Sequence, residues 1–399
     1  MRPVRVLGVG MTRFGKFLDR GLKSLGREAV EASLADAGVA ASGIEAAYVG
    51  NAVAGLITGQ ETIRGQVVLN AMGIGGIPVF NVDNACASAS SALHLAWLAI
   101  ASGQHECVLA LGVEKMTHPD KRRTFDAISS GLDVEAAAEE AESHGVGSGA
   151  GETRSVFMDY YANSIRAYMS RYGLTRRHIA EVSAKNHRHA SMNPYAQYRA
   201  SITAEEVLGD VIVVDPLTRS MCSPIADGAA AALVCSEDFA RRAGGRPVRI
   251  AATCIRSACA GTGDGDGDVV CRTARIAYET AGIGPEDVDV VEVHDATASA
   301  EIQAYESLGL CARGDAGALV DEGATRVGGR IPVNPSGGLE CRGHPVGATG
   351  LAQVTELVWQ LRGDAGDRQV EGAAVGVAQN AGGYLGHENA TAAVTVLTR

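Results

Sequence analysis

ADAGVAASGIEAAYVGN (35–51) and ETAGIGPEDVDVVEVHD (279–295) align without a gap at a constant offset of 244. Ala37, Gly38 and Val39 fall on Ala281, Gly282 and Ile283; Ile44 falls on Val288, and Val49 on Val293. In each copy a helical pattern runs into a glycine that suits a helix C-cap, and a β-branched strand follows. Further on, each half has a glycine- or serine-rich turn, a helix and an apolar strand: Cys86 to Val113 in the first, His344 to Val377 in the second. Ala- and Gly-rich helices match by chance over short lengths. The shared order of four elements is what points to gene duplication.

Working outward, VRVLGV (4–9) reads as a strand, 23–37 as a helix, AAYVGN (46–51) as a strand, 86–102 as a helix and VLALGV (108–113) as a strand. This is α/β order, which predicts parallel strands with helices on both faces. Residues 119–208 have no counterpart in the second half. They begin with the acidic, glycine-rich DVEAAAEEAESHGVGSGAGETR (133–154) and turn basic later. Between Arg171 and Arg199 stand Arg171, Arg176, Arg177, Lys185, Arg188 and Arg199 against the single acid Glu181. A solvated helix face and an anion-attracting surface both fit that cluster. The resulting division is 1–118 plus 209–245 as one half, 119–208 as an insertion, and 246–399 as the other half.

A chain of 399 residues with 46% apolar and 20% charged residues has the balance of a large globular protein. Its 50 glycines lack a Gly-X-Y period, and only 11 prolines accompany them, which excludes collagen. The net charge of −11 argues against nucleic acid as a partner. No run of 18 apolar residues is present, so no membrane span is expected, and neither a signal peptide nor a C-terminal targeting motif is read. Nine dispersed cysteines with no Cys-x-x-Cys pair suggest a reducing, cytoplasmic setting. His187 and His189 are two apart, poor spacing for a helical metal pair, so no metal site is expected.

Four places carry chemistry. Cys86 follows the strand-like PVFNVD and opens a helix, whose free N–H groups and dipole lower a thiol's pKa. A cysteine among small residues also fits a core filler. His344, in NPSGGLECRGHPVGATG (334–350), lies before Pro345, a first-turn residue, and so at the matching helix mouth of the second half. Paired helix N-termini would set an imidazole opposite the thiol. His294 and Asp295, in VEVHDATA (291–298), close a strand at the end where α/β proteins bind ligands. In VAQNAGGYLG (377–386), Asn380 precedes Gly382 and Gly383, a pair that permits close backbone approach to a developing oxyanion.

These blocks resemble the thiolase superfamily, and within it the thiolases related to sterol carrier protein x. The resemblance rests on VGMTRFGK (9–16), CASASSA (86–92), KNHRHASMNPYAQYR (185–199), SPIADGAAAA (223–232), the His-Asp pair 294–295 and GHPVGATG (343–350), in the family's order. It implies a duplicated α/β thiolase fold: two βαβαβαββ halves in a five-layer αβαβα arrangement, with a loop domain inserted in the first. It also implies that Cys86 is the acylated nucleophile and His344 its activator. His294 and His344 would hold the thioester oxygen, and the N–H groups of Cys86 and Gly382 would form a second oxyanion hole. The substrate class is acyl-coenzyme A, with no permanently bound cofactor, and the basic insertion is a place for the coenzyme's phosphates. A homodimer or larger assembly is implied, and members of this branch also pair with a small OB-fold, zinc-ribbon protein.

The sequence departs from the family at its second cysteine. The two usual positions hold Asn380 and Ala296, which leaves Cys341 as a substitute. The expected activity is thiolytic cleavage or condensation of a β-ketoacyl-CoA in lipid metabolism. The alternatives are a retro-aldol lyase on a coenzyme A ester and an acyl-CoA-binding subunit with little turnover of its own.

Overall fold

A computed structural model describes residues 2–259 and 267–399; residues 260–266 of the expected second half lie outside the described set. The strands are β1 (Val4–Met11), β2 (Ala46–Gly50), β3 (Val79–Val82), β4 (Cys107–Glu114), β5 (Ile212–Val214), β6 (Leu217–Thr218), β7 (Gly228–Ser236), β8 (Val248–Ser257), β9 (Val290–Glu292), β10 (Val375–Gly382) and β11 (Thr391–Thr398). Nine of them form one sheet in the order β3-β2-β4-β7-β1-β8-β11-β10-β9, and β5 pairs with β6 apart from it.

The sheet order is a mirror about its centre. β1 meets β8 antiparallel, with Arg5 opposite Arg249 and Val6 opposite Val248. Arg249 is Arg5 moved by the offset of 244, so a local two-fold relates the halves at this pair. The offset persists in the secondary structure: β1 starts at Val4 and β8 at Val248, β2 at Ala46 and β9 at Val290. The Leu22–Ala37 and Val269–Ala281 helices both end in a left-handed glycine, Gly38 at φ 65° and Gly282 at φ 73°. The counterpart of β3 in the second half is reduced to a parallel bridge between Val291 and Val333.

The expectation of a parallel sheet needs correction. β2 pairs in parallel with β3 and β4, and β9 with β10. The β4–β7, β7–β1, β1–β8, β8–β11 and β11–β10 ladders are antiparallel. Helical crossovers enforce parallel pairing early in each half; in the first half the insertion returns the chain antiparallel to β4, and in the second the last strand returns without a helix. β10 and β11 are joined by a loop too short for a crossover, so they run antiparallel.

Three hydrophobic cores fix the layers. One joins β1 and β4 to the Leu22–Ala37 helix, and another joins β8 and β11 to the Val269–Ala281 helix. The third, between the two halves of the sheet, holds the Ser88–Ala101 and Thr349–Arg362 helices. Helix, sheet, paired helices, sheet and helix make five layers. The central helices touch closely: a Cβ on Gly350 would sit 2.0 Å from Ser90 Oγ and 2.8 Å from Ser90 N. Leu351, Val354, Leu357, Val358 and Leu361 are buried on the second of them, each contributing about 1.5–3 kcal/mol relative to exposure.

The insertion shares a core with the second half: Ile165, Ile179 and Val182 pack in one cluster with Val291, Ile302 and Tyr305. Its cations do not form a single face. Lys185 is buried in an ion pair with Glu301, and Arg177 is engaged by Glu181 and Glu205. Arg171, Arg188 and Arg199 are exposed.

Candidate active site

Between β3 and the Ser88–Ala101 helix the chain makes a tight turn. Ala85 takes φ 48°, in the left-handed region, which costs a non-glycine residue about 1–3 kcal/mol and persists only where neighbours over-determine it. Here they do. Asp83 accepts the Ala85 N–H at 3.0 Å, while Ser88 Oγ donates to Ala85 O at 2.6 Å and accepts from Asn84 N at 2.9 Å. The turn carries Cys86 to the wall of a cavity of about 860 Å³, also lined by His294, His344, Ala296, Gly382 and Gly383.

The Cys86 sulfur and one nitrogen from each of His294 and His344 all lie within 4.8 Å of one another. The imidazoles meet edge to face, 5.0 Å between centroids at 82°. Hydrogen bonds behind the rings fix their tautomers. Thr349 donates its hydroxyl to Pro345 O at 3.1 Å, so Thr349 Oγ1 accepts from His344 Nδ1 at 2.7 Å. That leaves the His344 Nε2 lone pair available. For His294 the chain is longer. Gln353 Nε2 donates to Gln379 O at 2.9 Å, which turns its Oε1 towards Asn380 Nδ2 at 3.2 Å. Asn380 Nδ2 in turn donates to His294 Nδ1 at 3.2 Å, so His294 carries its proton on Nε2. One ring thus offers an acceptor and the other a donor.

The electrostatics correct one expectation. Burial pushes the Cys86 thiol up to about 12, helped by the charge of Glu114 and opposed by the N–H groups of Cys86 and Gly383. Desolvation outweighs the helix terminus. Burial also lowers His294 to about 4, and burial with His294 and Arg342 nearby lowers His344 well below its ordinary value. The resting pair is a neutral thiol beside a neutral imidazole.

The two helix mouths are less alike than the sequence suggested. Cys86 lies just before its helix, which starts at Ser88, whereas the second begins at Thr349, well after His344. Pro345 falls in the preceding turn, and His344 is held by a bridge to Ile225. Gly382 sits where a Cβ would come within 2.2 Å of Asn84 O, 2.8 Å of Ala87 N and 3.1 Å of Cys86 N. Asn380 is buried behind His294 and does not line the cavity. Cys341 is fully buried among Ala190 and Ala196, away from Cys86, because the Gly338–Arg342 helix turns it towards the insertion. Its sulfur lies near His187 and Glu340, so the described residues hold two trios with donor types suited to a metal, this one and Cys86 with the two histidines.

Glu114 is one residue that sequence reasoning missed. It ends β4, wholly buried, and accepts N–H groups from Ala52, Val53, Ala54 and Gly347 and the Asn51 amide. Burial still pushes its carboxyl up to about 7. An acid closing the apolar run LALGV (109–113) was the available signal. Thr349 and Gln353, inside a helix, gave none.

Fold and site together define an α/β enzyme with a half-buried thiol flanked by two buried imidazoles. The thiolase N-terminal domain family matches residues 4–238, and the thiolase C-terminal domain-like family matches 268–399. The chain belongs to the thiolase family, an acyltransferase family. It is 42% identical to an acetyl-CoA acetyltransferase of Methanothermobacter thermautotrophicus over 100% of both chains. It is 37% identical to sterol carrier protein 2 of Oryctolagus cuniculus, over 95% of this chain and 70% of that one. Identity to the benzoylsuccinyl-CoA thiolase subunit BbsB of Thauera aromatica is 37%, over 93% and 92%. Among solved structures, the Ltp2-ChsH2(DUF35) aldolase superposes with a TM-score of 0.79 at 22% identity, covering 99% of this chain and 97% of that one. Human mitochondrial 3-ketoacyl-CoA thiolase superposes with a TM-score of 0.74 at 19% identity, covering 100% and 99%. No helix among the described residues is long and apolar enough to cross a membrane.

Proposed function

We propose that this enzyme transfers acyl groups to and from coenzyme A through an acyl-Cys86 intermediate, cleaving or forming β-ketoacyl-CoA. The observation that carries this is the opposite tautomers of the two imidazoles beside the thiol. His344 Nε2 takes the Cys86 proton as sulfur attacks, so the high resting value of the thiol is overcome in the same step. His294 Nε2–H faces the developing oxyanion of the thioester. The amides of Cys86 and Gly383 face the sulfur, and with that of Gly382 they suit the acyl-enzyme oxygen. Met116, Phe125, Ile128, Phe157, Met158 and Ile225 among the cavity walls support an acyl group bulkier than acetyl. Exposed Arg171, Arg188 and Arg199 are the insertion's candidates for the phosphates. The division into 1–118 with 209–245, 119–208 and 246–399 belongs to this reading.

A second copy is supported by edge strand β3, whose Phe80 is 50% exposed and stacks on Tyr48. Free thiols at Cys86, Cys107, Cys222, Cys235 and Cys341 support a reducing, cytoplasmic setting. A small OB-fold, zinc-ribbon partner and a retro-aldol activity form the second reading, favoured by the likeness to the Ltp2-ChsH2(DUF35) aldolase. Mass spectrometry after mixing with a panel of acyl-CoA esters separates the two. An acyl adduct on Cys86 is expected; an unmodified Cys86 across the panel rejects the first reading. Full activity in Cys86→Ala would favour the second.

A further inference from the structure

Breaking a carbon–carbon bond next to a thioester leaves an electron pair on the α-carbon, and some group must deliver a proton there. His294 faces the oxyanion, and the proton that His344 takes from the thiol returns to Cys86 when its sulfur leaves the acyl group, so a further acid is needed. Ala296 lines the cavity without a titratable group, Asn380 stands behind His294, and Cys341 faces away. Cys222 lines the cavity, but its thiol donates to Thr218 O at 3.3 Å.

We propose that the phenol of Tyr161 is the acid that protonates the α-carbon, an inference that rests on the acyl-transfer reading above. Tyr161 lies on the Phe157–Tyr172 helix of the insertion. It lines the main cavity together with Cys86, His294 and His344. It also lines an adjoining cavity of about 150 Å³, which His294 and Ala381 share. Tyr161 and His294 therefore both border the two spaces. The hydroxyl makes no hydrogen bond with the described residues, so its proton is uncommitted. The adjacent Tyr160 lines the smaller cavity but not the one that holds Cys86, and packs against Phe157, Tyr384 and His144. Burial, with Cys86, Tyr384 and Asp295 nearby, holds the Tyr161 phenol above its ordinary value, so it rests as the neutral acid.

The step balances. Cys86 thiolate bonds to the β-carbonyl carbon, the bond between the α- and β-carbons breaks, and its electron pair passes to the α-carbon. Tyr161 O–H gives its proton to that carbon, releasing the fragment that carries the α-carbon and the original thioester (acetyl-CoA for an unbranched substrate) and leaving a phenolate on Tyr161 and the shortened acyl group on Cys86. Coenzyme A then enters as the thiol, the phenolate takes the thiol proton, and the coenzyme's sulfur displaces Cys86 from the acyl group. Cys86 leaves as the thiolate, and Tyr161 is restored.

The test compares wild type, Tyr161→Phe and Cys222→Ser in two assays. One is Cys86 acylation by acyl-CoA; the other is solvent deuterium exchange into the α-position of acetyl-CoA, alongside thiolysis. Tyr161→Phe is expected to acylate Cys86 within about threefold of wild type while exchange and thiolysis fall about 100-fold or more. Cys222→Ser is expected to retain both. Loss of exchange in Cys222→Ser with exchange retained in Tyr161→Phe overturns the proposal in favour of the Cys222 thiol. Normal exchange in Tyr161→Phe overturns the proposal and leaves the acyl-transfer reading intact. A wild type that never acylates Cys86 overturns both. Acylation also reports that the variant is folded. If it is not, 3-fluorotyrosine at position 161 carries the test: the weaker phenol base should move the high-pH limb of exchange to lower pH, and an unmoved limb rejects the role.

Discussion

Glu114 Oε2 accepts the N–H of Gly347 at 2.9 Å, so the last residue of β4 in one half holds the loop that carries His344 from the other. The same carboxylate gathers the Asn51–Ala54 segment. Each of its oxygens meets several N–H donors, so Glu114→Gln must turn an NH₂ against them. The expected cost is about 1–3 kcal/mol of stability, with acylation slowed because His344 moves. Thermal melting and single-turnover acylation read the two effects; a variant unchanged in both would remove the carboxylate's positioning role.

Gln353 touches neither thiol nor cavity, yet it sets which nitrogen of His294 carries the proton. Gln353→Leu should let Asn380 turn and blur that choice. A fall in kcat of about tenfold is expected, with KM little changed, the size of one lost hydrogen bond. A rise in KM alone would indicate a packing role instead.

Gly382→Ala should stop acylation. The added methyl would meet Asn84 O at 2.2 Å and Ala87 N at 2.8 Å, both backbone atoms that cannot swing aside. Stability should fall by about 1–3 kcal/mol or more, and Cys86 should resist acyl-CoA in mass spectra. Cys341→Ala is the contrasting case: it removes a buried sulfur outside the cavity, so some stability is lost while kcat is retained.

The pH dependence follows from the neutral resting pair. With its thiol near 12, Cys86 is only about 10⁻⁵ thiolate at pH 7. Its alkylation by iodoacetamide should keep rising through pH 9. A plateau beginning below pH 8 would instead reveal a preformed thiolate–imidazolium pair. Stability has the opposite limb. His294 ionises near 6.5 when unfolded and near 4 when folded. The unfolded chain therefore binds its proton first, and stability present above 6.5 is lost as pH falls through 4. About 3 kcal/mol is involved, and His294→Asn should flatten that part of the denaturation profile.

How much of this the sequence carried depended on locality. The helix ends at Gly38 and Gly282 and the strands beginning at Val4 and Ala46 follow from local pattern, because turn chemistry and side-chain period act within a few residues. Cys86, His344 and His294 were legible because glycines and strand ends mark the turns that hold them. Glu114, Gln353 and Tyr161 were not. Their importance comes from partners well separated in sequence, 26 residues away for Gln353 and 233 for Glu114, or across a cavity for Tyr161, and their own neighbours in sequence look like ordinary strand and helix. The thiol's pKa was misjudged for a similar reason: the helix terminus is local and visible, while the burial that outweighs it comes from residues distant in sequence, such as Val53, Met116 and Val346.

The pairing of Arg5 with Arg249 has a consequence for how such a site can arise. A strand facing its own repeat about a two-fold axis is what two identical half-length chains would form on association. In such a dimer every substitution appears twice, so a turn cannot become a thiol on one side and an imidazole on the other. Joining the copies in a single gene removes that constraint. The asymmetry of Cys86 and His344 is the freedom that fusion gave to a symmetric frame.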